Sequence, residues 1–109
     1  MIYELRTYWA APGKLENLHE RFRSVTLKVF KKYGMEVVAF WTPVSPAPES
    51  GDLVYILRFA DEAAKAAAWK AFESDPDWIA GKAASETEGV LVTNVTSLLL
   101  QSTDYSPLK

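Results

Sequence analysis

Residues 53–59 read LVYILRF and lead almost at once into an alanine-rich stretch, DEAAKAAAWKAFES, at 61–74. The first stretch predicts a β-strand, because it is short and rich in β-branched and aromatic residues. Alternate side chains of a strand point to opposite faces of the sheet, and here both sets are apolar, so both faces need cover. The helix predicted at 61–74 covers one face. We expect a second copy of the chain to cover the other.

Four strands are predicted along the chain, at 2–9, 35–42, 53–59 and 90–100. Helices are predicted after the first and third strands, and a polar tail follows the fourth. Right-handed crossovers and one hairpin then favour a ferredoxin-like β-α-β-β-α-β arrangement, an α+β fold with a four-stranded antiparallel sheet. Its first and third strands are central, and its helices share one face. With 109 residues, the chain is expected to be one domain, 1–109.

The predicted helices have clear end signals. An apolar stripe marks one long amphipathic helix: Leu15, Leu18, Phe22, Val25, Thr26, Val29 and Tyr33. Gly34 follows as a C-terminal cap residue. Asp61 is expected to cap the alanine-rich helix, and Asp75 and Pro76 to begin a separate short one. The face of the alanine-rich helix toward the sheet is predicted to comprise Ala63, Ala64, Ala67, Ala68 and Ala71.

The sheet face away from the helices is predicted to be a large apolar surface. Four strands about 4.8 Å apart, each about six residues long at about 3.3 Å per residue, cover roughly 400 Å². The largest apolar patch on a soluble monomer is usually about 300–600 Å². Burial of this face against the same face of a second copy of the chain removes about 800 Å² of accessible surface in total. The gross gain in free energy is on the order of 20 kcal/mol before association costs. A face-to-face homodimer is therefore expected.

The composition argues against several classes of function. A net charge of −2 gives no basic surface for nucleic acid or an anionic membrane, and no apolar run reaches the length of a membrane span. The absence of cysteine excludes disulfides and thiolate catalysis. The five glycines form neither a P-loop nor a dinucleotide-binding motif, so no cofactor is predicted. The third strand also lacks the aromatic motif of an RNA-recognition domain. We expect a cytoplasmic protein.

Short segments spread along the chain resemble the NIPSNAP family in its short bacterial form. These segments are YELRTY at 3–8, PGK at 12–14, AW at 68–69, DPDW at 75–78, AASE at 83–86 and YSPL at 105–108. The resemblance implies a dimeric α/β barrel, in which two ferredoxin-like sheets pack together with the helices outside. The same superfamily includes cofactor-free monooxygenases, haem-degrading enzymes and isomerases that work inside each half-barrel. The resemblance implies the fold more securely than any reaction.

The first strand carries the most suggestive polar residues, Glu4, Arg6 and Tyr8, on one face. The other face carries Tyr3, Leu5, Thr7 and Trp9. Because this second set suits packing beneath helices, we expect the first set to face into the barrel. There Arg6 would hold an anionic or enolate oxygen, and Glu4 would transfer a proton. Alternatively, Glu4 and Arg6 only pair with each other, or across the sheet with Arg58.

His19 is the only histidine, and it lies at the edge of the predicted apolar stripe. It is either a general base or a boundary residue of the core. The predicted ligand-binding residues are Arg6, Tyr8, Tyr55, Trp41 and Arg58. For Tyr55 and Trp41 the alternative is a role as core aromatics.

Three functions are compatible with these patterns. The first is a homodimer that binds a small, partly apolar molecule in each half-barrel. The second is cofactor-independent oxygenation or isomerisation of an aromatic or enolisable substrate. The third is a structural or interaction platform. Trp69 and Trp78 are expected to pack, and the segment 105–108 either docks on a neighbouring subunit, closes the cavity mouth or frays.

Overall fold

A single antiparallel sheet forms the framework of the domain, which a computed structural model describes for residues 1–108. Its strands are β1 (Ile2–Ala10), β2 (Glu36–Trp41), β3 (Leu53–Phe59) and β4 (Val92–Leu100). They lie in the order β2-β3-β1-β4, so the first and third strands are central, as predicted. The α+β class and the four-stranded antiparallel sheet are confirmed.

The helices connect β1 to β2 and β3 to β4. The first connection comprises α1 (Leu15–Arg21), a π-helical segment (Phe22–Thr26) and α2 (Leu27–Lys32). The second comprises α3 (Glu62–Ser74) and α4 (Pro76–Ser85). The π-helical segment interrupts what the sequence predicted as one regular α-helix, and Leu27 N–H donates to the carbonyl of Phe22 five residues back. Within residues 1–108, none of these helices has both the length and the apolar character needed to cross a membrane.

The predicted helix ends are confirmed. Gly34 follows α2 with a φ of +64°, a left-handed conformation that favours glycine. Asp61 caps α3 by accepting a 2.8 Å hydrogen bond from Ala64 N–H. Asp75 caps α4 through Asp77 N–H, which donates at 2.8 Å.

Asp75 also fastens α4 to the end of the first helical connection. Its Oδ2 accepts hydrogen bonds of 2.6 Å from both Lys32 Nζ and Tyr33 Oη. The carboxylate is buried although it carries a charge. Its four hydrogen bonds, two from side chains and two from the backbone, replace the water that it has lost.

The core lies between the helices and one face of the sheet. It includes Leu18, Phe22 and Phe30 from the first connection, Tyr55 and Leu57 from β3, and Phe72 from α3. The predicted alanine face of α3 is only partly correct, because Ala63 and Ala67 are exposed. The helix contacts the core mainly through the large rings of Trp69 and Phe72 and through Ala68.

The two faces of β1 are reversed relative to the prediction. Glu4, Arg6 and Tyr8 lie beneath the helices: the ring of Tyr8 is 5.7 Å from that of Phe22, and Glu4 is hydrogen-bonded to Trp69 of α3. The prediction treated charge as unsuited to the helix-packed side. It was wrong because Glu4 and Arg6 neutralise each other and because neighbouring polar groups replace their lost water.

The opposite face of the sheet carries no helix, and part of it is apolar. In the register of the strands, Leu5 pairs with both Ile56 and Leu98, so the three side chains share this face. Leu98 is 56% exposed. The C-terminal tail lies beside this face, where Ser106 and Leu108 help to line a depression of about 300 Å³ together with strand residues. Two residues of the segment 105–108 therefore lie beside the open face, away from the cavity beneath the helices, whereas Tyr105 is exposed.

Candidate functional site

A closed hydrogen-bond network surrounds Arg6 beneath the helices. Its Nε donates to Tyr55 Oη at 2.9 Å, its Nη2 to Tyr8 Oη at 3.2 Å and its Nη1 to Glu4 Oε2 at 2.9 Å. The two tyrosine hydroxyls are 2.8 Å apart and share a hydrogen bond. On its flat side the guanidinium stacks on Trp69, with Cζ 4.1 Å from the ring centroid. The network holds Arg6 in one orientation.

Glu4 is the most deeply buried charge of this network, with 1% exposure. Besides Arg6, it accepts hydrogen bonds from Ser97 Oγ at 2.6 Å and from Trp69 Nε1 at 2.7 Å. Burial alone raises the pKa of Glu4, but the hydrogen bonds from Ser97, Trp69 and Arg6 outweigh it and lower the pKa. Glu4 is therefore an ionised anchor for Arg6. Its predicted role in proton transfer gains no support from this geometry.

The two tyrosines provide hydroxyls at the base of the site. Burial and the neighbouring Tyr8 raise the pKa of Tyr55 well above its ordinary value, although the charge of Arg6 opposes the rise. Tyr55 therefore keeps its proton at neutral pH. The pKa of Arg6 is raised as well: burial opposes the charge, but Tyr55, Tyr8 and Glu4 more than compensate. These groups form a cationic, hydroxyl-rich floor.

A cavity of about 260 Å³ opens above this floor, between the sheet and the helices. Its aromatic walls are Tyr8, Phe22, Trp69, Phe72 and Trp78, and its polar lining is Arg6, Arg21, Thr26, Glu73 and Lys82. The rings of Trp69 and Phe72 are 5.1 Å apart and those of Phe72 and Trp78 are 4.6 Å apart, so the helical side is a continuous aromatic surface. The cavity combines a wide apolar wall with a few fixed cations, as ligand sites commonly do.

Arg21 is a second buried arginine on the cavity wall, with 5% exposure. Its Nη1 donates to Ser85 Oγ at 3.3 Å and to Glu86 Oε2 at 3.2 Å. Lys82 Nζ donates to the other carboxylate oxygen of Glu86 at 3.0 Å. The Cζ of Arg21 is 5.2 Å from the ring centroid of Trp78. Arg6 and Arg21 thus stand at the two ends of the aromatic wall, over Trp69 and Trp78 respectively.

The predicted site residues fall into three places. Glu4, Arg6, Tyr8 and Tyr55 come together as described, with Tyr55 fully buried behind the floor. His19 and Trp41 line a separate cavity of about 280 Å³, between the first helical connection and β2. Arg58 lies on the open face, where its Nη1 is 3.3 Å from Glu36 Oε2.

The contributions of Arg21, Trp69 and Trp78 to the cavity lining were not predicted from the sequence. Both tryptophans do pack, as predicted, but they also line the cavity. Arg21 was not predicted as a cavity residue because an arginine in an amphipathic helix usually lies in solvent. The π-helical segment that follows Arg21 was not predicted either, because no sequence signal marks such a segment. Within residues 1–108, no three His, Asp or Glu side chains cluster in a way that would hold a metal ion.

Comparisons with known proteins agree with the class that this geometry defines: an α+β domain with one antiparallel sheet and one layer of helices. The NIPSNAP family model matches residues 3–107, and the chain therefore belongs to the NIPSNAP family. No curated protein sequence matches the chain.

Solved bacterial structures share the whole fold. An uncharacterised NIPSNAP domain protein from Burkholderia xenovorans has a TM-score of 0.81 and 21% identity, covering 98% of this chain and 99% of that one. A NIPSNAP family protein of Agrobacterium tumefaciens, Atu5224, has a TM-score of 0.84 and 17% identity, covering 99% and 98%. Protein Atu4242 of the same organism has a TM-score of 0.81 and 20% identity, and both chains are fully covered. At these identities the likeness establishes the fold alone.

Proposed function

We propose that this protein binds a small, partly apolar molecule in the cavity between the sheet and the helices, and that it does so as a homodimer. The observation that carries the proposal is Arg6, a cation fixed by three side-chain partners and a stacked indole at the floor of an aromatic cavity. Burying a charge in a protein core costs hydration free energy. In a binding site the same charge is useful, because it is already oriented toward the bound group. The π-helical segment supports the proposal, since Phe22 and Thr26 line the cavity and π-bulges recur at functional sites.

The homodimer is supported by the open face of the sheet. Leu98 and Leu100 are exposed there and carry no helix above them. A face-to-face pair of sheets would bury these side chains and form the barrel that the family resemblance implies. The tail beside this face would then lie at the subunit interface.

Binding is favoured over catalysis by the positions of the candidate bases. Glu4 has a lowered pKa, and three side chains already donate to its carboxylate. His19 lines the other cavity, and Phe22 lies at the boundary of the two. Neither residue is therefore placed as a general base for a molecule held by Arg6.

A thermal-shift screen with paired variants tests ligand binding. We expect some small aromatic or carbonyl compounds to raise the Tm of the wild type, because a ligand that binds only the folded state stabilises it by mass action. Thr26→Phe, which fills the cavity, should abolish the shift, whereas Thr26→Val, which conserves its volume, should retain it. No stabilising compound, or equal shifts in both variants, would contradict binding at this cavity.

Analytical ultracentrifugation tests the dimer. Leu98→Asp should convert the dimer into a folded monomer, because it places a charge on the proposed interface. Val44→Asp is the matched control, since Val44 is fully exposed in the connection between β2 and β3. A monomeric wild type at micromolar concentration, or a dimer that survives Leu98→Asp, would contradict the proposed interface.

A further inference from the structure

Arg21 lines the cavity and has a buried hydrogen-bond donor without a partner. Its bonds to Ser85 and Glu86 both use Nη1. Its Nε is buried and has no hydrogen-bond partner among residues 1–108. In a guanidinium, Nε–H and one N–H of Nη2 point in the same direction and form a fork that matches the two oxygens of a carboxylate. A buried donor without a partner is rare in native structures and calls for a missing acceptor.

The charges around this guanidinium favour an anion. The charged residues that line the cavity are three cations, Arg6, Arg21 and Lys82, and one carboxylate, Glu73. Lys82 and Glu73 are both exposed, so solvent screens both of their charges. The carboxylate of Glu4 serves Arg6 alone, whereas that of Glu86 is shared between Arg21 and Lys82. Arg21 is thus the better anchor for an anionic group, and Arg6 interacts with the far end of the ligand.

The aromatic lining and the volume of the cavity limit the size and shape of the rest of the ligand. Phe22, Trp69, Phe72 and Trp78 surround the space next to Arg21, and its volume of about 260 Å³ lies just below the usual range for ligand pockets of about 300–1,000 Å³. A flat ring would stack on these walls. A small planar carboxylate suits the fork of Arg21 better than a bulkier hydrated phosphate does.

We propose that the ligand of this cavity is a small aromatic carboxylic acid, whose carboxylate binds the guanidinium of Arg21 and whose ring lies against the Trp69 and Trp78 wall. This inference rests on the proposed function and names the chemical class that the same cavity accepts. Arg21 is then the residue that distinguishes acids from their neutral analogues.

Calorimetric titration with phenylacetate and its neutral isostere phenylacetamide tests the inference on the full chain. We expect phenylacetate to bind the wild type about tenfold or more tightly than phenylacetamide, since charge-assisted paired hydrogen bonds are the strong ones. Arg21→Gln should abolish this preference. Lys31→Gln removes an exposed positive charge on α2 that lines no cavity described here, and it should retain the preference.

A second variant guards against loss of folding. If Arg21→Gln does not fold by circular dichroism, Arg21→Lys keeps a charge for Glu86 but removes the fork, and it should reduce the preference for the acid. Equal affinities for acid and amide would overturn the inference and leave the proposed function standing. Binding of inorganic phosphate as tight as that of phenylacetate would overturn the assignment to a carboxylate. If neither aromatic probe binds the wild type, the inference fails, and the thermal-shift screen decides the proposed function independently.

Discussion

The guanidinium of Arg6 on β1 lies 4.1 Å from the indole centroid of Trp69 on α3, and the same indole donates to the carboxylate that neutralises Arg6. One side chain of α3 therefore contacts both charges of a buried ion pair. This relationship fastens the helical layer to the sheet and fixes the orientation of the cation at the cavity floor.

The first prediction concerns the hydrogen bond of Trp69. Trp69→Phe retains an aromatic ring beside Arg6 but leaves Glu4 Oε1 without its donor. We expect a loss of about 1–3 kcal/mol in the free energy of unfolding, because a buried charged acceptor loses a partner. Urea denaturation monitored by circular dichroism measures it. Trp41→Phe is the control, since Trp41 is 49% exposed, and a comparable loss there would argue against a specific role for the bond.

The second prediction concerns the ion pair itself. Arg6→Met leaves the buried carboxylate of Glu4 without its cation. It should lower the free energy of unfolding by about 3–5 kcal/mol, as removal of one partner from a buried ion pair generally does. Adding Glu4→Gln to this variant should recover part of the loss, because the remaining buried group is then neutral. A double-mutant cycle from denaturation curves measures the coupling. Strictly additive losses would show that the two residues are not coupled.

The third prediction concerns the contact between α4 and the π-helical segment. A Cβ atom at Gly81 would lie 2.6 Å and 2.9 Å from the two methyl groups of Val25. Gly81→Ala should therefore destabilise the protein by about 1–3 kcal/mol, although the same change in an open helix is stabilising by about 1 kcal/mol. Val25→Ala in the Gly81→Ala background should relieve the clash. Denaturation midpoints of the variants measure these changes in stability. A Gly81→Ala variant that is more stable than the wild type would contradict the packing described.

The fourth prediction concerns the acid stability of the link at Asp75. Hydrogen bonds from Lys32 and then Tyr33 lower the pKa of Asp75 in the folded protein, although burial opposes this. A carboxyl group whose folded pKa is depressed stabilises the fold above its unfolded pKa and loses that contribution as the pH falls below about 4. Unfolding free energies measured across acidic pH should therefore depend less on pH in Asp75→Asn than in the wild type. Glu88→Gln, which removes an exposed acid, is the matched control.

The sequence predicted the framework better than the site, for physical reasons. The two-sided apolar strand at 53–59, the cap at Asp61 and the break at Pro76 are local signals, and each is confirmed. Which face of β1 meets the helices depends on partners distant in sequence. Trp69 and Ser97 are 65 and 93 residues from Glu4, and without them a buried charge pair looks unfavourable.

The placement of Arg21 shows the same limit within a single helix. The periodicity of α1 places Arg21 off the apolar stripe, and its partners Ser85 and Glu86 are distant in sequence. His19, by contrast, lies where the stripe placed it, at the boundary of the core. What no local pattern indicated was that the helix separates two cavities, with His19 on one and Arg21 on the other.

Native mass spectrometry of the freshly purified protein tests the central claim most directly, because it reports assembly and occupancy together. The account predicts the mass of two chains plus a reproducible small increment, with the increment lost in Thr26→Phe and retained in Thr26→Val. Two bare chains that stay bare in the presence of phenylacetate, or a single chain at micromolar concentration, would contradict it.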